Sequence, residues 1–280
     1  MKRITLLILA LCTGFIGLSQ MQTPAPSPGA KVEQMVGLTD VTVTYSRPSM
    51  RGRTVFGNLV PFDKLWRTGA NANTTVSFSD DVTVGGKTLK AGTYAVFTKP
   101  MADKWEVMFY MDTNNWGTPA DWDASKVAAS VTVPSMKASP TAETFTITLD
   151  NLNNNGGTLG IWWENTYVGV PFEVPTKAKA MKSIEAAMAG PSGNDYYGAA
   201  SYYFQEGMEM DKAKEYIDKA VAMNPDAFWM MRQQSLIYAK MGDKAGAIKA
   251  AKNSLAAAEK AGNADYVKMN KDSLKEWGAM

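Results

Sequence analysis

At Pro175 the spacing of apolar residues changes, and that change limits what the chain can fold into more than any other feature. Before it, short apolar runs alternate with turn residues; after it, apolar residues keep helical spacing to the end. Val41, Val43 and Tyr45 alternate with Thr42 and Thr44, the pattern of a half-buried strand. Val82–Val84 and Lys87–Leu89 flank Gly85-Gly86, a two-residue hairpin signal, because glycines accept the positive φ such turns require. Further apolar runs stand at 74–79, 93–98, 105–111, 127–133, 143–149, 158–163 and 167–174. About ten short strands at this spacing predict a β-sandwich or jelly-roll-like domain over residues 31–175, not a parallel sheet with helices.

Residues 176–280 predict an all-α domain. Thr176 can cap a helix to about Ala189, with Met181, Ile184 and Met188 on one stripe and Gly190-Pro191 as its stop. Tyr196, Ala199, Ala200, Tyr203, Gly207, Ala213 and Ala220 superpose on Met231, Gln234, Ser235, Tyr238, Gly242, Ala247 and Ser254 at an offset of 34 or 35 residues. This is the tetratricopeptide period, without the Trp and Leu-Gly of the strict pattern. Asn263 to Trp277 would form a capping helix. The aromatic and sulfur-bearing residues from Tyr196 to Met231 exceed what two small repeats need inside. They either dock onto the sandwich or form a groove for a protein partner.

Lys2 and Arg3 precede an apolar run from Ile4 to Leu18, and Gly17 and Ser19 are small residues suited to signal-peptidase cleavage. A secretory signal over 1–19 and a Pro-rich tether over 20–30 are therefore expected, and with them export to the periplasm or beyond. The run is too short for a spanning helix, which needs about 20 apolar residues, so no membrane span is expected in the mature chain. Losing Lys2 and Arg3 takes the formal charge from +2 to zero, so the basic excess of a nucleic-acid binder is missing. The single cysteine, Cys12, leaves with the signal, and there is no histidine. Disulfides, thiolate nucleophiles, Ser-His-Asp triads and histidine-bearing metal sites are thereby excluded from the mature chain.

The chain has six arginines, and four of them, Arg47, Arg51, Arg53 and Arg67, fall in one stretch. With Lys64 they make five cations there against one anion, Asp63. A guanidinium is a planar fork that meets carboxylate or phosphate with two bonds, whereas a lysine is a mobile point charge. Two readings stand. The arginines pair internally with Asp40, Asp63, Asp80, Asp81 or Glu106, or they hold an anionic ligand. Pro48, Gly52, Gly57 and Pro61 shape the loop, and Gly69-Ala70-Asn71 reads as a tight turn into the next strand.

The runs YSRPSMRGR, LVPFDKLWRTGANANTT, GKTLKAGTYAVFTKP and WENTYVGVPFEV, in this order, resemble a family of secreted bacterial proteins catalogued as a domain of unknown function. The resemblance spans about residues 30–175. It implies a β-rich exported domain, in some members with a tetratricopeptide-like tail, and no assigned reaction. It puts weight on Arg47, Arg51, Arg53, Trp66, Arg67, Asn71 and Glu164 as motif positions.

Other candidates are more scattered. Trp116 and Trp122 stand in a loop of Asn and Asp, where their rings can stack on a sugar or plug the end of the sandwich. Asp121 and Asp123 have weak calcium-like spacing, and Asp150 to Gly157 departs from a calcium loop at Leu152, so it reads as a hairpin connection. Glu164, beside Trp162 and Trp163, would serve as an acid or base only with a second carboxylate. Asn73-Thr74-Thr75 matches a glycosylation sequon of a kind common by chance.

The expected function is non-catalytic binding, with the sandwich holding an anionic or sugar ligand and the tail making protein contact. No catalytic residue, metal or cofactor is assigned. The alternatives are a carboxylate-dependent glycan hydrolase or lyase, using Glu164 or Asp121 and Asp123, and a structural or assembly protein with no small ligand.

Overall fold

The computed structural model describes residues 23–280; the signal expected over 1–19 and the start of the tether lie outside them. Two compact units meet in sequence at Pro175/Thr176. The first contains β1 (Gly29–Val36), β2 (Thr39–Ser46), β3 (Thr75–Phe78), β4 (Val82–Val84), β5 (Lys87–Leu89), β6 (Gly92–Pro100), β7 (Lys104–Tyr110), β8 (Val127–Asn153) and β9 (Gly156–Glu173). They form one antiparallel sheet in the order β1-β2-β3-β6-β7-β8-β9-β4-β5.

β8 makes this sheet a sandwich. Its first part pairs with β7 as far as Pro134, and from Ser135 onward it pairs with β9, so the sheet folds over along one strand. The two halves then meet across a shared core, with Tyr45 of β2 5.8 Å from Phe145 of β8 and Phe78 of β3 5.8 Å from Phe172 of β9, centroid to centroid. Val41, Val43 and Tyr45 are buried as their alternation requires. Each such fully buried apolar side chain contributes about 1.5–3 kcal/mol. The Tyr45 hydroxyl accepts from Ile147 N at 3.1 Å, which satisfies the one polar atom it takes inside.

The strands are fewer and longer than the sequence pattern suggests. Four short runs merge into β8, of 27 residues, and β9, of 18. The gaps between these runs, at 134–142 and 164–166, are strand as well, and the β8–β9 ladder absorbs its irregularity through register shifts between Lys137 and Ala142 and between Ala142 and Thr146. The tether also ends sooner than expected, since β1 begins at Gly29 and pairs with β2 along its whole length. β1 is an edge strand with most side chains exposed, so its apolar alternation is weak. Gly85 and Gly86 take φ of +55° and +76°, as the β4–β5 hairpin turn demands.

The second unit is six helices: α1 (Thr176–Ala187), α2 (Gly193–Glu206), α3 (Met210–Met223), α4 (Phe228–Lys240), α5 (Lys244–Lys260) and α6 (Ala264–Glu276). Small residues, Ala200, Ala213, Ala220, Ala247 and Ala251, are fully buried, which lets neighbouring helices approach closely. Tyr203, Ile217, Met230 and Ile237 fill the space between them. Ser192 caps α2 in a reciprocal box with Asp195: Asp195 N donates to Ser192 Oγ at 3.2 Å, and Ser192 N donates to Asp195 Oδ2 at 2.8 Å. Asn263 caps α6 by accepting from Tyr266 N at 3.1 Å. Among the described residues no helix is long and apolar enough to cross a membrane.

Candidate functional site: an arginine-lined cleft

The long connection between β2 and β3 is fastened to β6 on one side and to β8 on the other. Trp66 exchanges two backbone hydrogen bonds with Thr98 of β6, at 2.7 and 2.9 Å. Opposite, Met50 N donates to Glu143 O and Phe145 N to Pro48 O of the loop, both at 2.8 Å, along β8. Aromatic packing sets its height above the core. Trp66 stacks on Trp163 at 6.0 Å and 19°, and Phe145 and Trp105 meet it edge-on at 5.4 and 6.0 Å. Phe56 closes the cluster against Trp105 at 4.8 Å. Of these rings Trp66 and Trp163 form the cleft floor and the others pack against them, and such pairs add about 0.5–1.5 kcal/mol beyond their burial.

The loop is strained where it is best fastened. Of seven non-glycine residues at positive φ among the described residues, four, Arg51, Asp63, Thr68 and Asn71, belong to it, and Glu164 is a fifth beside it. Thr68 is the costliest, because a β-branched residue at φ +54° brings its Cβ against the backbone. It is fully buried and held by Thr74 Oγ1, which donates to its carbonyl at 2.6 Å, and by a 3.1 Å bond to Thr98 Oγ1. Gly69 follows at φ +146°, where a Cβ would stand 3.0 Å from Thr74 Oγ1 and 3.1 Å from Ser46 O. Strain of this kind costs about 1–3 kcal/mol per residue and clusters at functional sites.

Between loop and floor lies a cleft of about 350 Å³, lined among others by Ser49, Arg51, Arg53, Trp66, Arg67 and Trp163. None of the four loop arginines makes an ion pair among the described residues. They are held by neutral oxygens instead. Arg53 donates through Nε to Met50 O at 2.7 Å and through Nη2 to Ser49 O at 2.8 Å. Arg51 Nη2 donates to Pro26 O at 3.1 Å, and Arg67 Nη1 makes a long 3.4 Å contact to Asn71 O. Three of the acids that internal pairing would have used are engaged elsewhere. Asp81 pairs with Lys90 at 2.8 Å, which together with the Ala91 N–H holds its carboxyl below the usual range. Glu106 accepts from Ser130 at 2.7 Å, and Asp80 accepts from Thr39 at 2.9 Å. Two nearby carboxylates face main-chain N–H groups and are not lining residues: Glu143 takes Arg51 N at 2.8 Å and Glu164 takes Val55 N at 3.4 Å.

The other expected site residues have different places. Arg47 does not line the cleft; it ties the start of the loop, just after β2, to β8, donating to Phe145 O at 3.0 Å and Thr146 Oγ1 at 2.7 Å. Asn71 is a turn post, donating to Ser27 O at 3.2 Å and Ser46 Oγ at 3.3 Å. Trp116 is 77 % exposed, and its backbone bridges to Ala72. The next residue, Gly117, lies against Arg67, whose Nη1 would be 3.0 Å from a Cβ there. Trp122 is half-buried, stacked on Tyr110 at 4.4 Å, and lines a separate cavity of about 530 Å³ with Leu65, Glu106 and Met108. Asp123 caps the short turn Ala124–Lys126, and the Ser125 hydroxyl and N–H hold its carboxyl below the usual range. The sequon asparagine, Asn73, is buried and donates to Gly117 O at 3.2 Å. Among the described residues no three His, Cys, Asp or Glu side chains are grouped to hold a metal.

Sequence reasoning missed Trp163, Ser49, Pro26 and Ser27 as cleft residues. For Trp163 the signal was present: in strand alternation it shares the inward face of Ile161, and both are buried. Pro26 and Ser27 carry no such pattern and are brought in by the bonds from Arg51 and Asn71.

Fold and cleft together define a β-sandwich protein with an arginine-lined cleft and a helical unit after it. The family model described as "Protein of unknown function (DUF2911)" matches residues 27–172, more than half of the chain, and the chain belongs to that family. No curated protein matches it. A solution structure of a Bordetella parapertussis protein is similar at 22% identity and a TM-score of 0.32, over 35% of this chain and 85% of that one.

Proposed function

We propose that this is an exported, non-catalytic binding protein whose sandwich captures a small anionic ligand in the arginine cleft. One observation carries the reading: Arg51, Arg53 and Arg67 line a single concave site whose lining has no carboxylate. Guanidiniums bonded only to neutral carbonyls gain when anionic oxygens replace these, because opposite charges then attract and a carboxylate or phosphate meets the planar fork with two bonds. The cluster of strained residues supports the same reading, since a mere connection has no need of a buried threonine at φ +54°. The hydrolase alternative requires two carboxylates facing one cleft, and this cleft's lining offers none. A purely structural role suits Arg47 and the carbonyl bonds of Arg51 and Arg53, but it leaves unexplained why three guanidiniums share one concave lining without a carboxylate.

Export rests on the leader pattern over residues 1–19, and protein contact by the helical unit on the 34- or 35-residue offset with tetratricopeptide-like small residues. The test is a thermal-shift screen against phosphate, sulfate, uronic acids and neutral oligosaccharides, with an Arg51→Ala, Arg53→Ala double variant alongside. A ligand at a hundredfold its Kd adds about 2.7 kcal/mol. Stabilisation of the wild type by anions that the variant loses supports the reading. A variant that melts far lower and a wild type indifferent to every anion would make these arginines internal struts.

A further inference from the structure

The charge and donor inventory of the cleft narrows the ligand, on the premise that the cleft binds anions at all. Its charged side chains are three guanidiniums, which only donate. The Trp66 and Trp163 indoles also only donate, and Trp163 is already committed to Glu143 O at 3.2 Å. No carboxylate or amide side chain lines it, so side-chain acceptors are limited to the hydroxyls of Ser27 and Ser49, and Ser49 shares a 2.9 Å bond with Thr144. A neutral sugar presents hydroxyls that must donate as well as accept, and the side chains here offer them only two acceptors, with the nearby carbonyls of Pro26, Ser49 and Met50 already taken by Arg51 and Arg53. An unmade bond of that kind is what a binding site discriminates against most strongly.

Size gives the second limit. A cleft of about 350 Å³ is larger than one tetrahedral oxyanion needs. Inorganic phosphate or sulfate alone would leave most of it wet. The flanking surfaces of Leu59, Val60 and Trp66 favour some carbon between charged groups. We infer that the ligand is a compact organic polyanion, with two or more carboxylate or phosphate groups on a small carbon frame, its anionic oxygens replacing the carbonyls that now hold Arg51, Arg53 and Arg67.

Calorimetric titration of the purified protein at fixed ionic strength tests this with acetate, succinate, citrate, glucuronate, fructose 1,6-bisphosphate and glucose. The expected result is an affinity that rises about tenfold with each added anionic group, with glucose silent. Arg53→Ala and Arg67→Ala should each weaken the tightest ligand about tenfold or more. Arg53→Lys and Arg67→Lys, which keep the charge and lose the fork, should recover only part. Glucuronate or glucose binding as tightly as the polyanions, still dependent on Arg53 and Arg67, would overturn the polyanion assignment and leave the cleft as the site. Absence of arginine-dependent binding by every anion would overturn both.

Discussion

Arg51 and Arg47 stand four residues apart and do opposite work. Arg51 is exposed, sits at φ +50°, and spends its guanidinium on one carbonyl of the preceding segment. Arg51→Gly removes a left-handed penalty of about 1 kcal/mol that partly offsets glycine's own entropy cost, so thermal denaturation should show stability unchanged or slightly raised while anion affinity falls. A fall in stability instead would mean that the Pro26 bond anchors the loop. Arg47 is half-buried and joins the start of the loop to β8 with two hydrogen bonds. Arg47→Ala should cost about 1.5–3 kcal/mol in urea denaturation and leave affinity nearly as it was. Gly69→Ala meets both a carbonyl and a hydroxyl at a φ that L residues rarely adopt, and should destabilise the cleft wall by about 2 kcal/mol or more.

At the scale of elements, the sequence shows the ends of structure better than its continuity. Gly85-Gly86, the Ser192 box and Asn263 are local chemistry, and each was legible or fell at a predicted boundary. The unity of β8 was not, because a 27-residue strand with prolines survives only through non-local register shifts against β9. Likewise the arginine bias pointed to the loop, but which arginines face the cleft depends on carbonyls from Pro26 and Phe145, distant in sequence. The Ser192 box also gives a pH prediction. The Ser192 hydroxyl and N–H depress the Asp195 carboxyl, so its contribution is present above the ordinary carboxylate range near pH ~4 and is lost as pH falls through the lower folded value. Helical circular dichroism should therefore melt earlier in acid. Ser192→Ala should cost about 1 kcal/mol at neutral pH and flatten that acid dependence; an unchanged acid slope would remove Asp195 from the account.

On the scale of the whole molecule, every cleft residue lies between Pro26 and Trp163, inside the first compact unit. A fragment of residues 23–175 should fold and keep the anion affinity of the full chain within about threefold, since a compact domain carries its own core. Loss of binding with retained fold would give the helical unit a part in the site. The claim on which the rest depends is that the three cleft guanidiniums, and not the chain's other cations, take the anion. With arginine at only six positions in the sequence, the Nε–H signals of a ¹⁵N-labelled sample are few enough to follow one by one. Titrated with the tightest polyanion, the signals of Arg51, Arg53 and Arg67 should shift to saturation together, while those of Arg47 and Arg232 stay in place. Saturation with Arg53 and Arg67 unmoved, or with all the arginines moving alike, would contradict the cleft as the binding site.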